Sequence, residues 1–352
     1  MRNSGNPGSF GIIGSGSWAT AIAKILTDNG NAINWLVRSI AMADFISKRK
    51  HNPNYLTAAF FNTSLLTLST DISKVVAASD HIIIATPSAY VADTLKSLPK
   101  NAFAGKKVIS AVKGIIPQEN NLLNDFLEKE FNVELKDYFT IMGPCHAEEV
   151  AAEKLSYLTF SGADEEKAAE IAMHFKTDYL NTVVNDDVYG VQFAAILKNI
   201  YALGAGIAHG LEYGDNFLSV LIANSADEMA GFLRNVGIHN IEVGKHEGED
   251  PVTHKRKANY AASVYLGDLL VTCYSLYSRN RTFGNMIGKG YSVKSAQLEL
   301  NMVAEGYNAS KSIYIINKNV EAEMPIAETV YKILWEHLSP EEGFKLIEET
   351  LV

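Results

Sequence analysis

The tightest constraint on this chain sits near its start. The apolar run SFGII leads directly into GSGSWA (Gly14 to Ala19), and the next residues carry apolar side chains at helical spacing. A strand that turns into a helix within so few residues needs small side chains at defined places. Gly14 permits the tight turn, Gly16 lets a pyrophosphate approach the backbone, and Ala19 is small enough for the helix to pack on the strand. The helix then points its first amide groups at the anion. A bare strand-to-helix turn would use the same residues. The surroundings favour the nucleotide reading, because this turn follows an apolar strand and heads a series of βαβ units.

That series is readable along the first half. Ser17 to Asn29 has helical periodicity with Gly30 as its stop. AINWLVR, HIIIATP (His81 to Pro87), KKVISAVKG (Lys106 to Gly114) and YFTIMGP (Tyr138 to Pro144) read as strands. Their nearly pure apolar character suits strands covered on both faces. Strands alternating with helices predict an α/β fold with right-handed crossovers and a doubly wound parallel sheet of Rossmann type. From about Asp187 the pattern becomes long and helical, beginning with VYGVQFAAILKNIYALGAGIAHGL. The expected organisation is therefore a dinucleotide-binding domain over residues 1–187 and an all-α substrate-binding domain over 188–352. The charged stretch Gly244 to Lys257 reads as an exposed loop between helices.

Charge narrows the partners. With 31 basic and 40 acidic residues the net charge is −9, which argues against nucleic acid or an anionic membrane surface. A small anionic substrate remains compatible, since a few local cations suffice. Cys145 and Cys273 are too few for a disulfide framework and have no metal-ligand spacing, so no metal site is expected. No apolar run approaches the roughly 18 to 20 residues that span a bilayer, and MRNSGNPGSF lacks a signal-peptide stretch. The expectation is a cytoplasmic protein with no transmembrane segment. Its apolar helical half could carry a homodimer interface.

Several residues stand out for chemistry. About 20 positions after the glycine turn, an NAD-selective site prefers Asp or Glu for the ribose 2′-hydroxyl. This chain has Leu36-Val37-Arg38 and no acid before Asp44. Arg38 could pair with a 2′-phosphate, tilting the cofactor towards NADPH tolerance, or be a solvated strand-end arginine. Lys113 closes a strand at the sheet edge where open α/β folds bind ligands. Lys198 and Asn199 interrupt an apolar helix, where a lysine is costly unless paired, functional or snorkelling to the surface. Asp268 and Thr272 are four apart and share a helix face. Ser278, Arg279 and Asn280 make either a solvated basic turn or a phosphate clamp.

Taken together, the chain resembles the bacterial-type NAD(P)-dependent sn-glycerol-3-phosphate dehydrogenase family. The matching segments are GIIGSGSWATAIA, HNPNYL, IIATPSAYV, SAVKGI, MGPCHAEEVA, LKNIYALGAGIAHGLEYGDN, GDLLVTC, SRNRTFG, AEGYNASK and MPIAETVYKIL, in order from residue 11 to about 334. The resemblance implies that Ser17, Trp18 and Arg38 contact the dinucleotide and that Lys113 lies where cofactor and substrate meet. It implies that Gly143, Cys145 and Ala147 flank the substrate, with Ala147 on the cofactor side. Lys198 matches the catalytic lysine and Asp268 the carboxylate close to it. Ser278, Arg279 and Asn280 match the substrate-phosphate residues, Arg279 also being near the cofactor, and Val303 and Glu305 match further cofactor contacts. The implied reaction interconverts dihydroxyacetone phosphate and sn-glycerol 3-phosphate with NAD(P)H, supplying glycerol 3-phosphate for phospholipid synthesis.

The residue chemistry agrees with this reading. Hydride delivery to a C2 carbonyl needs a proton donor that also stabilises the developing alkoxide, and Lys198 as an ammonium serves both needs. Two departures from the family pattern are visible. Ala19 replaces the third glycine, and Cys145 replaces a Ser or Thr, leaving a weaker hydrogen-bonding group. His146, in the same segment, reads as structural. The rivals are a dehydrogenase of the same plan acting on a β-hydroxy acid or ketopantoate-like substrate, which has no need of the Ser-Arg-Asn run, and a silent dinucleotide sensor. The silent sensor would not need Lys113, Lys198, Asp268 and Arg279 all in place.

Overall fold

Short apolar strands pair through the middle of the first half, and their period-two alternation decides how they are covered. The computed structural model of the protein describes residues 9–239, 261–300 and 303–351. Its strands are β1 (Phe10–Ile13), β2 (Ile33–Leu36), β3 (Leu66–Ser69), β4 (His81–Ile84), β5 (Lys107–Ser110), β6 (Tyr138–Met142), β7 (Ser156–Gly162) and β8 (Leu180–Asn185). They form one sheet in the order β3-β2-β1-β4-β5-β6-β7-β8. Phe10, Ile12, Ile83, Ile109 and Phe139 pack on one face, and Ile13, Ile82, Ile84, Val108 and Tyr138 on the other. Both faces are buried, as the apolar strands predict.

The expectation of a parallel sheet needs one correction. β7 runs antiparallel to β6, with Phe139 opposite Gly162, while every other strand pair is parallel. The link from β6 to β7 carries a five-residue helix (Ala147–Ala151), and after it the chain re-enters the sheet beside β6 in the opposite sense.

The sheet region carries α1 (Ser17–Asp28), α2 (Ile40–Arg49), α3 (Ile72–Ala77), α4 (Ser88–Leu95), α5 (Leu123–Phe131), α6 (Ala147–Ala151) and α7 (Glu165–Met173). α1 ends as expected. Gly30 takes a positive φ of 78°, and the amides of Gly30 and Asn31 return to Thr27 O and Leu26 O. Such a double closure is the Schellman stop that glycine favours.

After β8 the chain is helical: α8 (Val188–Gly210), α9 (Asp215–Asn235), α10 (Asp268–Tyr274), α11 (Arg279–Gly288), α12 (Val293–Leu300), α13 (Glu305–Val320), α14 (Pro325–Trp335) and α15 (Pro340–Glu348). A π-helical turn over Ala261–Gly267 runs into α10. The Gly244 to Lys257 stretch lies outside the described residues. The sequence expectation of no apolar segment of spanning length is corrected by α8, which has 23 residues and a mean hydropathy of 1.3 in its most apolar window. Lys198 and Asn199 break the apolar run in the sequence without breaking the helix. That window is 94% buried within the fold, because α9, α10, α11, α13 and α14 pack around it.

One crossing in this helical body is unusually close. A Cβ on Gly284 would lie 2.0 Å from Leu203 O, and one on Gly288 would lie 2.3 Å from Ile207 O. In return, a Cβ on Gly206 would lie 2.1 Å from Arg281 O and one on Gly210 2.5 Å from Asn285 O. On each helix the two glycines are four apart and share a face. Backbone therefore packs on backbone between α8 and α11. The contacts advance together along both helices, so the two run in the same direction. The N-terminal end of α11 thus lies beside Lys198 and Asn199. Gly284→Ala is expected to destabilise the protein by about 2–3 kcal/mol through overpacking, measured as a lowered midpoint of denaturant unfolding. Gly231→Ala on α9, where a Cβ would meet nothing within 4 Å, should leave the midpoint unchanged or raised.

Candidate active site

The order of the central strands creates the site. β1 lies between β2 and β4, so the connections leave in opposite directions and open a crevice at the strands' carboxyl ends. Gly14 lies there with a φ of +133°, and a Cβ on it would sit 2.6 Å from Ala85 O. Trp35 Nε1 donates to Gly14 O at 2.7 Å and fixes the turn. From this crevice a cavity of about 760 Å³ extends to the helical body.

The turn fits a dinucleotide. A Cβ on Gly16 would meet nothing within 4 Å, and Gly16 lines the cavity. No side chain caps the first turn of α1 and no acid stands in it, so its amides are available to an anion. Ala19, fully buried, packs the helix against the sheet. Ser17 and Trp18 line the cavity. At the far end Leu36, Val37, Arg38, Tyr55 and Thr70 form the wall, and the Arg38 guanidinium lies 5.9 Å from the Tyr55 ring centre. The carboxylates that line the cavity, Glu148, Asp268 and Glu305, all lie outside this end.

The helical body supplies the chemical end. Lys198 and Asp268 are 3% and 1% exposed, and Lys198 Nζ is ion-paired with Asp268 Oδ1. Asp268 is the first residue of α10, directly after the π-helical turn, and its Oδ2 is buried without a hydrogen-bond partner. Burial pushes the Lys198 ammonium down to about 8; Asp268 opposes the fall and the Lys113 charge adds to it. Lys113 sits across the cavity with its ammonium 5.0 Å from the Trp18 ring centre. Burial pushes the Cys145 thiol up to about 12, so this cavity-lining side chain stays uncharged.

Hydrogen bonds tie four segments together around Lys198. Asn199 Nδ2 donates to Lys113 O at 2.9 Å, and Asn280 Nδ2 donates to Asn199 Oδ1 at 2.8 Å. Gly306 N then donates to Asn280 Oδ1 at 2.9 Å. Ser278 caps α11 by accepting from Arg281 N. Arg279 reaches back to donate to Ser17 Oγ at 3.1 Å. Glu305 accepts from Ser88 N and Ser88 Oγ, joining α13 to the start of α4.

Most residues singled out in the sequence therefore meet in one cavity: Gly14, Gly16, Ser17, Trp18, Arg38, Lys113, Cys145, Ala147, Lys198, Asp268, Ser278, Arg279, Asn280, Val303 and Glu305. Gly143 does not line it. This residue has a φ of +125° and turns against the backbone of Tyr157. The Asn280 amide is largely committed within the protein, which leaves one N–H for any ligand. Sequence reasoning missed Tyr55, Ser88 and Tyr277 as wall or support residues. It also read His146, which lines the cavity, as structural. The signal for Ser88 was its place after a strand end, in IIATPSAYV.

A glycine turn open to an anion, an open α/β sheet and a buried lysine–carboxylate pair facing the same cavity define a class, the dinucleotide-dependent dehydrogenases. Residues 9–168 match the family model for the NAD-dependent glycerol-3-phosphate dehydrogenase N-terminus, and residues 187–345 match that for its C-terminus. The chain is 31% identical to a glycerol-3-phosphate dehydrogenase [NAD(P)+] of Oceanobacillus iheyensis over 94% of this chain and 91% of that one. It is 33% identical to one from Salinibacter ruber over 96% and 94%. The fold is also that of the glycerol-3-phosphate dehydrogenase crystal structure from Coxiella burnetii, with a TM-score of 0.86 at 24% identity, covering 97% of this chain and 99% of that one. The chain belongs to the NAD-dependent glycerol-3-phosphate dehydrogenase family and is an oxidoreductase that uses NAD(P)H.

The open space at Gly16 gives a direct binding test. Gly16→Val should fold with an unchanged unfolding temperature, because its backbone is extended and its Cβ has no neighbour. It is expected to weaken NADPH binding at least tenfold in a fluorescence titration. Unaltered affinity would remove Gly16 from the cofactor site.

Proposed function

We propose that the protein interconverts dihydroxyacetone phosphate and sn-glycerol 3-phosphate, with Lys198 as the proton donor and acceptor. The observation that carries this is the ion pair of Lys198 with Asp268, buried yet lining the cavity that runs to the glycine turn. Bound NAD(P)H supplies the hydride. In the reducing direction Lys198 gives its proton to the developing alkoxide and stabilises that charge. In the oxidising direction the neutral amine takes the hydroxyl proton. Asp268 orients Lys198, and Lys113 adds positive charge beside the carbonyl. Ser278, Arg279 and Asn280 hold the phosphate, so binding energy remote from the reacting carbon positions it. Cys145 borders the substrate.

Gly14, Gly16, Ser17, Trp18, Arg38, Ala147, Arg279, Val303 and Glu305 form the cofactor side. Arg38 beside Tyr55, with no carboxylate near it in the cavity wall, supports acceptance of NADPH. Residues 1–187 act as the dinucleotide domain and 188–352 as the substrate domain. The physiological role that fits is supply of glycerol 3-phosphate for phospholipid synthesis in the cytoplasm, by a chain that could pair as a homodimer.

The primary assay is oxidation of NADPH, and separately NADH, with dihydroxyacetone phosphate. Turnover is expected with at least one cofactor, and none with either would overturn the proposal. Lys198→Ala should lower kcat by about 100- to 10,000-fold, the range for a lost acid–base group, while NADPH binding persists. Arg279→Ala should mainly raise KM for the phosphate substrate. Because Lys198 is held near pH 8 and reduction needs its proton, kcat/KM for reduction should fall as pH rises through about 8. The oxidation profile should rise over the same interval.

A further inference from the structure

His146 lines the cavity, yet nothing in the reaction described above uses it. It lies between Cys145 and Ala147, at the N-cap of α6, with its ring 6.3 Å from that of Tyr277. Its Nδ1 is buried without a hydrogen-bond partner. A buried orphaned N–H is rarer and costlier than an under-used acceptor. The ring therefore favours the tautomer with a bare Nδ1 and the proton on Nε2, the nitrogen that is not sealed off. The charges facing it are Lys113, Lys198 and Arg279 on one side of the balance and Asp268 on the other. Burial, followed by the Lys113 and Lys198 charges, holds the imidazole down to about 4, so it is uncharged at working pH. The cavity thus places a neutral imidazole donor in the field of Lys113, Lys198 and Arg279.

We propose that His146 is the residue that recognises the free hydroxyl of the triose phosphate, donating from Nε2 to that oxygen. The cations account for the charged parts of the ligand, the phosphate and the developing alkoxide. The primary hydroxyl is the remaining polar group of the substrate and is neutral, which matches a neutral donor. Such recognition discriminates strongly, because a site built to hydrogen-bond a hydroxyl is left with an unpaired buried group when the hydroxyl is missing. The assignment rests on the proposed reaction, and it makes His146 a specificity-determining residue of that reaction.

The test pairs two substrates with two variants of the full chain. The substrates are dihydroxyacetone phosphate and the corresponding phosphorylated methyl ketone, in which hydrogen replaces the free hydroxyl. For the unaltered protein, kcat/KM should be at least about tenfold lower on the methyl ketone, consistent with one lost hydrogen bond in a buried site. His146→Phe should lower kcat/KM on dihydroxyacetone phosphate by a similar factor and leave the methyl ketone within about twofold, so that the preference collapses. His146→Gln, which retains a donor, should recover part of the preference. Equal losses on both ketones would show a merely structural role and overturn the assignment. Loss of NADPH affinity with the preference intact would place His146 on the cofactor and would also overturn it. No turnover of either ketone by the unaltered protein would overturn the reaction itself, and this assignment with it.

Discussion

The arrangement depends on the backbone contact between α8 and α11. Four glycines, two on each helix, allow main chain to meet main chain where a single added methyl would collide with a carbonyl oxygen. Glycine within a helix costs about 1 kcal/mol relative to alanine, and here that cost yields proximity. The two helices run in the same direction, so the end of α11 bearing Ser278, Arg279 and Asn280 arrives beside Lys198 on α8. Asn199 and Asn280 then join the two helices to the Lys113 loop and to Gly306 at the start of α13. Arg279 and Glu305 extend the tie to Ser17 and Ser88 on the sheet side. Site geometry follows from how closely two helices can approach.

Electrostatics explains what that geometry holds. A lysine buried alone would lose its proton or its stability. Lys198 is partnered by Asp268, but burial still lowers its affinity for the proton. The result is an ammonium close to its titration point, which suits a group that must give a proton in one direction and accept it in the other. A net charge of −9 is no obstacle, because Lys113, Lys198 and Arg279 are gathered at one cavity. Cys145 takes part only as an uncharged, buried side chain.

Much of this was legible in the chain. The strand–glycine–helix start is local chemistry, and Gly14, Gly16 and Ala19 occupy the places their sizes required. β3, β7 and β8 were not legible. β3 is half-exposed at the sheet edge, and β8 carries Asn181, Thr182 and Asn185 among its apolar residues. The antiparallel direction of β7 leaves no mark in its own residues. The glycine crossing was hidden for another reason. Glycines in a helical pattern read as weak points until the partner 78 residues away, Gly288 against Gly210, is known. Likewise Asn199 and Asn280 stand 81 positions apart, and only the fold makes them a pair. Lys198 could be singled out in the sequence because charge in an apolar helix is costly; its pairing with Asp268 came only through the family resemblance, and its exposure could not be read at all.

The central claim is that burial against Asp268 sets Lys198 as the group that exchanges the proton. The most direct measurement is the titration of its side-chain nitrogen by NMR on protein labelled with 15N-lysine, the resonance being assigned by its loss in Lys198→Arg. A midpoint near 8 is predicted. A midpoint at or above the ordinary lysine value of about 10.4 would contradict the account, because an ammonium that holds its proton so firmly could not serve as the base.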